Sequence, residues 1–263
     1  MVFTRSICIA AFSALMTASQ VLGAANPKRG LCFAEGDNPG DIKLANQTGT
    51  ALTWTYNWGQ SPPDYLKTAN TKLTYIPMQW GRDGIANFAS LVKAQGAKTI
   101  LTFNEPDFAT QSNITATEAA SLWKQYIQPL HSSGIRLGAP AVTNAPTGRQ
   151  WLSDFLKACT GCTIDFVPIH WYGSGVGAFY DYIWAIHGEF PSYPLWVTEF
   201  AETSSDDKVV ANFMNATINY MDTLDWIERY SWFAFFKNRL TRPTDLLNAN
   251  GTLNTLGHIY IGK

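Results

Sequence analysis

Residues 98–107, with the sequence KTILTFNEPD, decide the fold class of this chain. The segment begins as an apolar run rich in β-branched residues and is interrupted by Pro106. This pattern is typical of a buried parallel strand that ends in a loop. Asn104 and Glu105 stand side by side at the break. A buried strand has no packing use for a carboxylate at its end, so Glu105 is a candidate catalytic residue, with helix capping as the alternative.

A second carboxylate follows another apolar run, because residues 195–200 read LWVTEF and carry Glu199. Glu35 and Glu202 are the competing carboxylates. Glu35 also ends a predicted strand, but Gly36-Asp37-Asn38 after it indicates a turn. Glu202 lies three residues beyond Glu199, where we expect a loop or the start of a helix. The pair Glu105 and Glu199 is therefore favoured.

Further apolar runs predict six more strands, at residues 30–35, 53–56, 73–78, 136–141, 164–172 and 230–236. Patterns with helical spacing lie between most of them, for example at Ile85, Phe88, Leu91 and Val92. Eight apolar strands alternating with helices predict an α/β fold, specifically a (β/α)8 TIM barrel. An open doubly wound sheet is disfavoured because no glycine-rich phosphate loop follows the first strand. In such barrels the active site lies at the carboxyl ends of the strands.

Composition limits the kinds of ligand. Only 15% of the 263 residues are charged, 14% are aromatic and 10 are tryptophan, with a formal net charge of −1. This charge provides no basic surface for nucleic acid and no polybasic membrane patch. Many Trp and Tyr side chains with few charges suit a neutral, hydroxylated ligand such as a sugar. A tryptophan-rich core accounts for part of the same excess.

The N-terminus has the features of an export signal. Arg5 precedes a mostly apolar run over residues 7–16, and small residues follow before Asn26. We expect residues 1–25 to be a secretory signal peptide, cleaved between Gly23 and Asn26. The run is too short for a membrane anchor. Residues 26–263 should then form a single secreted catalytic domain, expected to be a monomer that associates with neither nucleic acid nor membrane.

Three cysteines remain after such a cleavage. Cys159 and Cys162 could form a redox motif or half of a zinc site, but a short local disulfide is favoured in a secreted chain. Cys32 lies in an apolar strand and should be a buried free thiol. Four acceptor sequons for N-glycosylation are expected on surface loops, at Asn46, Asn113, Asn215 and Asn250.

Four motifs together resemble glycoside hydrolase family 128, a group of fungal and bacterial β-1,3-glucanases. These enzymes belong to the clan of retaining glycosidases with a (β/α)8 fold. They are Lys28-Arg29-Gly30-Leu31, Phe103-Asn104-Glu105-Pro106-Asp107, His170-Trp171-Tyr172 and Trp196-Val197-Thr198-Glu199-Phe200. The resemblance implies that Glu105 is the general acid/base and Glu199 the nucleophile. It also implies that Asn104 binds the sugar 2-hydroxyl.

Aromatic residues and a histidine supply the remaining candidates for sugar binding. Four tryptophans are platform candidates, of which about half should line the cleft: Trp58, Trp80, Trp171 and Trp232. For His170, a hydrogen bond behind the catalytic groups or a core role is favoured over direct catalysis, since no Ser or Cys nucleophile motif accompanies it. Tyr172 could hold the nucleophile in its ionised form. Trp196 should alternate away from Glu199 along its strand and join the core.

The chemistry fits the assignment, because glycosidic cleavage needs one protonated carboxyl and one ionised carboxylate. We expect no cofactor and no metal ion. The predicted function is a secreted, retaining endo-β-1,3-glucanase that binds β-glucan polysaccharide or oligosaccharide. Two alternatives are a non-catalytic β-glucan-binding protein on the same fold and a β-1,4-glucanase.

Overall fold

A computed structural model of the chain describes residues 26–33, 39–69, 71–237 and 243–263. The predicted signal peptide, residues 1–25, lies outside the described residues, as does the competing carboxylate Glu35. Within the described residues, none of the helices is long and apolar enough to cross a membrane.

Strands and helices alternate along the described chain. Its eight strands are β1 (Arg29–Cys32), β2 (Trp54–Tyr56), β3 (Thr74–Tyr75), β4 (Thr99–Asn104), β5 (Arg136–Ala141), β6 (Val167–Gly173), β7 (Leu195–Glu202) and β8 (Ile227–Trp232). The α-helices are α1 (Ile42–Ala45), α2 (Asp64–Thr68), α3 (Ile85–Ala94), α4 (Ala116–Leu122), α5 (Pro146–Ala158), α6 (Val176–Glu189), α7 (Asp207–Thr223) and α8 (Thr255–Ile261). A π-helical turn (Trp123–Ile127) and a 3-10 segment (Gln128–Ser133) extend α4.

Local sequence explains where several helices begin and end. The Thr115 hydroxyl caps α4 by accepting a hydrogen bond from the Glu118 amide. The Asp206 carboxylate does the same for α7 through the Lys208 and Val209 amides. Gly134, with φ 71°, ends the helical segment that follows α4, because glycine adopts this left-handed conformation without steric cost.

The strands form a parallel (β/α)8 barrel, in agreement with the predicted fold. Six strands pair in the order β3-β2-β1-β8-β7-β6, and β4 pairs with β5. Isolated parallel bridges link these two groups on both sides. Met78 with Leu101 connects the segment after β3 to β4, while Gly138 with Phe166 and Val142 with Ile169 connect β5 and the residue after it to β6 and the residue before it. The carboxyl ends of all eight strands therefore face the same end of the molecule.

An aromatic cluster fills the inside of the barrel. Trp54 on β2 packs against Trp196 on β7 with ring centroids 5.5 Å apart, although these strands are not neighbours in the sheet. Phe166 stacks on Trp196 at 4.0 Å. Gly30 is required beside this cluster, since a Cβ atom there would lie 2.0 Å from the Trp54 ring. The larger apolar core lies between the strands and the surrounding helices.

A β-bulge in β7 corrects the prediction for Trp196. Ile169 pairs with Val197, but the next residue, His170, pairs with Glu199, so Thr198 is the extra residue. Trp196 is fully buried, as expected, yet it belongs to the cluster inside the barrel. The expected alternation away from Glu199 is wrong, because the bulge shifts the two-residue period and keeps both side chains on the inner face.

Several element boundaries also differ from those predicted. The eighth strand ends at Trp232 and begins at Ile227, three residues before the predicted start. β7 continues to Glu202, so the expectation that this residue lies in a loop or helix start is wrong. The Glu202 carboxylate is buried and accepts hydrogen bonds from the amides of Gly175, Thr203 and Ser204. The Glu202 carboxylate therefore has a structural role, because its hydrogen bonds are made to the backbone of the fold.

A disulfide forms directly after α5, and the four glycosylation sequons lie at or near the surface. Cys159 and Cys162 form a disulfide, while Cys32 is a buried free thiol whose Sγ donates to the Trp232 carbonyl. Burial raises the pKa of that thiol, which makes it unreactive. Asn113 and Asn250 are exposed outside regular helices, and Asn46 is half-buried just after α1. The loop prediction is wrong for Asn215, which is exposed but lies within α7.

Candidate active site

A cleft of about 440 Å³ lies at the carboxyl ends of the strands. Nine residues line it: Trp58, Trp80, Asn104, Glu105, Gln111, Tyr172, Glu199, Phe233 and Phe236. The lining thus contains two carboxylates, two amides and five aromatic rings, without any lysine or arginine. Such a surface suits a neutral ligand that offers both hydroxyl groups and flat apolar faces.

Glu105 is held at the end of β4 in an uncommon backbone conformation. Its φ is 42°, a value in the left-handed region that non-glycine residues rarely adopt. The Glu105 amide donates to the Ala141 carbonyl at the end of β5, at 2.7 Å. Strain of this kind costs about 1–3 kcal/mol and is concentrated at functional sites. The neighbouring strand therefore maintains a conformation that directs this carboxylate into the cleft.

Glu199 is placed by the bulge in β7 and is surrounded by hydrogen-bond donors. The Trp58 indole donates to Oε1 at 2.7 Å, and the Tyr172 hydroxyl donates to Oε2 at 2.5 Å. Burial, reinforced by the negative charge of Glu199, raises the pKa of Tyr172 well above its ordinary value. Tyr172 consequently remains a hydrogen-bond donor to Glu199.

His170 lies between the two carboxylates and is almost completely buried. Its Nδ1 is 2.8 Å from Glu105 Oε1, and its Nε2 is 3.5 Å from Glu199 Oε1. Burial opposes protonation of the imidazole, but the charges of Glu199 and Glu105 outweigh this effect and raise the pKa of His170. The ring thus couples the two carboxylates electrostatically while lying behind the cleft surface.

Asn104 precedes Glu105 and presents an amide to the cleft. Its Nδ2 donates to Gln111 Oε1 at 3.2 Å. Its Oδ1 is buried and has no hydrogen-bond partner within the part of the chain that the structure describes. A buried acceptor without a partner is costly. A ligand hydroxyl that donates to this oxygen would remove that cost.

The two carboxylates are close enough to act on one bond. One carboxylate oxygen from each of Glu105 and Glu199 lies within 4.8 Å of the other and of a ring nitrogen of His170. The same three atoms are the right types to ligate a metal ion. Both oxygens of Glu199, however, already accept hydrogen bonds from Trp58 and Tyr172.

Aromatic rings form the walls of the cleft. Trp58, with φ 61°, contacts Phe233 and Phe236 with ring centroids 6.0 and 6.5 Å apart. Trp80 is 38% exposed, so part of its indole is available to a ligand. Both indoles also line an adjoining depression of about 250 Å³ that contains Ser112. The cleft therefore continues past the two tryptophans.

Of the four tryptophan candidates, Trp58 and Trp80 line the cleft, whereas Trp171 and Trp232 do not and are corrected to core residues. Trp171 points outward from β6 and stacks on Phe213 of α7 at 5.2 Å. Trp232 is fully buried, and its indole donates to the Thr244 carbonyl. Both rings belong to the core between strands and helices.

Comparison with known proteins supports a glycosidase identity. Residues 30–260 match the family model described as "Glycosyl hydrolase catalytic core". A family 128 exo-β-1,3-glucanase from Aureobasidium namibiae has a TM-score of 0.80 and 26% identity, covering 91% of this chain and 97% of the other. The chain belongs to the glycosyl hydrolase catalytic core family, and within it to glycoside hydrolase family 128.

Two further relatives of this family 128 hydrolase are informative. An endo-β-1,3-glucanase from Amycolatopsis mediterranei, solved with laminarihexaose, is 31% identical with a TM-score of 0.74, covering 90% of this chain and 99% of that one. Alkali-sensitive linkage protein 1 of Schizosaccharomyces pombe is 34% identical over 246 residues, or 89% of this chain. The match covers 44% of that relative, so this chain spans less than half of its length.

Three residues that line the cleft of this family 128 hydrolase are not among the candidates from the sequence. Gln111 lies in the loop after β4, where it accepts a hydrogen bond from Asn104 and lines the cleft. Phe233 and Phe236 follow β8 and were expected to be strand residues. The shared signal is their place just beyond a strand's carboxyl end, where loop residues of a barrel reach the active site.

Proposed function

We propose that the chain is a retaining β-1,3-glucan hydrolase, with Glu199 as the nucleophile and Glu105 as the general acid/base. The observation that carries the proposal is the approach of one carboxylate oxygen of Glu105 to one of Glu199, within 4.8 Å. Retaining enzymes have carboxyl groups about 5–5.5 Å apart, whereas inverting enzymes need about 6.5–9.5 Å to admit a water molecule. The shorter spacing supports direct attack by a carboxylate.

The surroundings of the two carboxylates support their roles. Glu199 accepts two hydrogen bonds, which stabilise the charge that a nucleophile requires. It would attack the anomeric carbon while Glu105 gives its proton to the departing glycosidic oxygen. A water molecule, deprotonated by Glu105, would then break the glycosyl ester of Glu199 and restore both groups. Asn104 Oδ1 is free to accept the sugar 2-hydroxyl.

Replacement of Glu199 tests the nucleophile. Glu199→Ala should abolish turnover, because no other group then attacks the anomeric carbon. With azide and an activated leaving group, this variant should form a glycosyl azide of inverted configuration, as the anion occupies the vacated space. The product anomer is read by NMR.

Replacement of Glu105 tests the acid/base with the opposite stereochemical outcome. Glu105→Ala should still form the glycosyl ester when the leaving group needs no proton. Azide should then release a product of retained configuration. The same anomer from both variants, or the two anomers exchanged, would contradict the assigned roles.

The β-1,3 linkage is supported by the relatives, whereas the mode of attack differs between them. The Amycolatopsis enzyme is an endo-β-1,3-glucanase bound to laminarihexaose, whereas the Aureobasidium enzyme is an exo-β-1,3-glucanase. Incubation with linear β-1,3-glucan, mixed-linkage glucan, cellulose and chitin, followed by sizing of early products, tests both points. A mixture of oligosaccharide lengths indicates endo attack. Activity on cellulose alone would favour the β-1,4-glucanase alternative, and binding without cleavage would favour the non-catalytic one.

We further propose that the protein is exported and acts as a monomer. The signal-like residues 1–25 support export, and the disulfide between Cys159 and Cys162 suits an oxidising compartment. N-terminal analysis of protein collected from the culture medium should find a first residue between Ala24 and Asn26. Intact-mass measurement before and after deglycosylation should reveal which of the four sequons carry glycans.

A further inference from the structure

A small pocket lies at the end of the barrel opposite the catalytic cleft. Its volume is about 310 Å³, and it is bounded by β3, by the connection from α3 to β4 and by β8. Lys98 precedes β4 and Thr99 begins it, which places this pocket, here called the basal pocket, at the amino-terminal ends of the strands. Two cations, Lys98 and Arg229, line it, and within the described residues no carboxylate does. The catalytic cleft has the reverse composition.

Arg229 reaches the basal pocket from the inside of the barrel. Its guanidinium lies over the rings of Trp196 and Trp54, with the central carbon 4.6 and 5.6 Å from their centroids. Both rings belong to the aromatic cluster that fills the barrel. Cation–π contact with two indoles therefore holds the guanidinium where the cluster ends and the pocket begins. This contact uses none of the N–H donors of the side chain.

The charge of Arg229 is not paired within the part of the chain that the structure describes. The neighbouring Glu228 is engaged by Arg136 through a salt bridge and also accepts a hydrogen bond from the Trp196 indole. The Nη1 atom of Arg229 is buried and has no hydrogen-bond partner among the described residues. Burial lowers the pKa of Arg229; Glu228 opposes this change, and Arg136 reinforces it. Because a charge withdrawn from water is costly unless it is paired, an anion in the pocket is favoured.

Lys98 and Gln95 define what kind of anion suits the basal pocket. Lys98 is exposed, and its charge adds to that of Arg229. The Gln95 Nε2 atom donates to the Gln60 carbonyl at 2.8 Å, while its Oε1 is buried without a partner among the described residues. An oxyanion that also carries a hydroxyl group, such as hydrogen phosphate, offers acceptors to the cations and a donor to this oxygen. The volume of about 310 Å³ is at the lower end for ligand pockets and suits a small ion.

We infer that the basal pocket is a binding site for a small oxyanion, with inorganic phosphate as the ion that matches its groups best. Guanidinium groups bind phosphate through two parallel N–H···O hydrogen bonds, which would give Arg229 Nη1 the partner that it lacks. A bound ion would connect β8 to the segment before β4 and thereby stabilise the closed barrel. The inference is independent of the proposed function, because it concerns binding and stability at the end of the barrel away from Glu105 and Glu199.

Thermal unfolding in sodium phosphate at pH 7, compared with NaCl of equal ionic strength, tests the inference. Phosphate also stabilises proteins in general by exclusion from their surface, and this effect acts on the wild type and on Arg229→Met alike. The additional rise in Tm of the wild type should grow with the logarithm of phosphate concentration and reach about 5–10 °C at a hundred times Kd. Isothermal titration should find one phosphate per wild-type molecule and none for Arg229→Met. Arg229→Lys, which keeps the charge but not the planar fork, should bind phosphate more weakly.

Lys98→Met gives a second measurement at an exposed position, where the substitution does not endanger folding. It should raise the Kd for phosphate by roughly two- to fivefold, the range for an exposed ion pair. Lys43→Met, exposed on α1 and outside the pocket, is the matched control and should keep the wild-type Kd.

Three results overturn the inference. They are the absence of phosphate binding to the wild type, an equal rise in Tm for the wild type and Arg229→Met, and, where Arg229→Met does not fold, an equal Kd for Lys98→Met and Lys43→Met. No sugar enters these measurements, so loss of the proposed hydrolase activity leaves them unchanged. Conversely, a wild type that cleaves laminarihexaose but binds no phosphate overturns the inference alone.

Discussion

Different side chains contact Glu199 and Glu105 in the cleft. Trp58 and Tyr172 each donate to a different oxygen of Glu199, whereas His170 contacts Glu105 and approaches Glu199 from behind. Glu199 is thus hydrogen-bonded by neutral donors that keep their protons. The titratable imidazole is placed where it responds to the charge of both carboxylates.

Tyr172→Phe should lower kcat for laminarihexaose by roughly ten- to hundredfold. The variant removes one hydrogen bond to a charged group, which contributes about 1.5–3 kcal/mol. The ring that packs against Phe233 is retained, so the unfolding temperature should change little. Tyr180→Phe removes a hydroxyl that donates to the Ala216 carbonyl outside the cleft, and it should keep wild-type kcat. An unaffected kcat for Tyr172→Phe would mean that the hydrogen bond from Trp58 alone is sufficient for Glu199.

His170 should make stability depend on pH in a defined direction. Although burial opposes its protonation, Glu199 and Glu105 raise the pKa of His170 in the folded protein. A raised folded pKa adds stability that is complete below the unfolded value of about 6.5 and is lost as the pH rises through the folded value. Each kcal/mol of this stability corresponds to about 2–4 °C in Tm.

The measurement compares thermal unfolding of the wild type and His170→Gln across pH. The Tm advantage of the wild type should be largest below about pH 6.5 and should shrink at higher pH. His131→Gln, at an exposed position, controls for loss of a histidine outside the cleft. A wild-type advantage that grows with pH would show that His170 is held neutral in the folded state.

At the level of elements, what the sequence predicts depends on how many faces of a strand are buried. The apolar runs of β4 and β7 and the carboxylates at their ends are recognisable because buried parallel strands end in chemically distinctive loops. Both faces of such a strand are apolar, so the pattern does not distinguish the inside of the barrel from the outside. For this reason the pattern makes Trp171 a candidate for the cleft, although it faces the helices.

The sequence pattern also does not predict irregular features such as a β-bulge, because tertiary contacts decide them. The bulge at Thr198 leaves no mark in the sequence, yet it brings Glu199 opposite His170. Glu202 has the composition of a loop residue, and only the amides around its carboxylate make burial in β7 favourable. Likewise, the Asn215 sequon matches a loop pattern but lies on the exposed face of α7. Tertiary contacts decide these positions.

Gly138 in β5 offers a test of how tightly the strands pack on the barrel interior. A Cβ atom at this position would lie 2.5 Å from the Phe166 ring and 3.0 Å from the Ile100 carbonyl oxygen. Phe166 cannot yield easily because it stacks on Trp196 at 4.0 Å. Gly138→Ala should therefore reduce the free energy of unfolding by about 1–3 kcal/mol.

The matched control for Gly138→Ala is a glycine with free space around it. Gly177 lies in α6, and a Cβ atom there meets nothing within 4 Å. Gly177→Ala should raise the free energy of unfolding by about 0.4–1 kcal/mol, because alanine restricts the unfolded chain. Chemical denaturation measures both variants. Equal effects of the two substitutions would mean that the Phe166 contact is not restrictive.

The molecule as a whole carries little net charge, and its cleft is suited to an uncharged ligand. With a net charge of −1, it has no strong field to steer a substrate. The cleft lining contains two glutamates and no cation. Arg82, in the adjoining depression, is paired with Glu118. Long-range electrostatics should therefore contribute little to capture of a neutral polysaccharide.

Salt dependence tests this conclusion with two matched substrates. For laminarihexaose, kcat/KM should change less than roughly twofold between about 20 mM and about 300 mM NaCl, because screening has no substrate charge to act on. A carboxymethylated β-1,3-glucan is anionic and is repelled by the Glu199 carboxylate, so its hydrolysis should increase as salt screens that repulsion. The comparison removes general effects of salt on the enzyme, which act on both substrates alike. A steep fall in activity on the neutral substrate would instead require an ionic contact with the ligand, and the assignment of a neutral glucan would then be wrong.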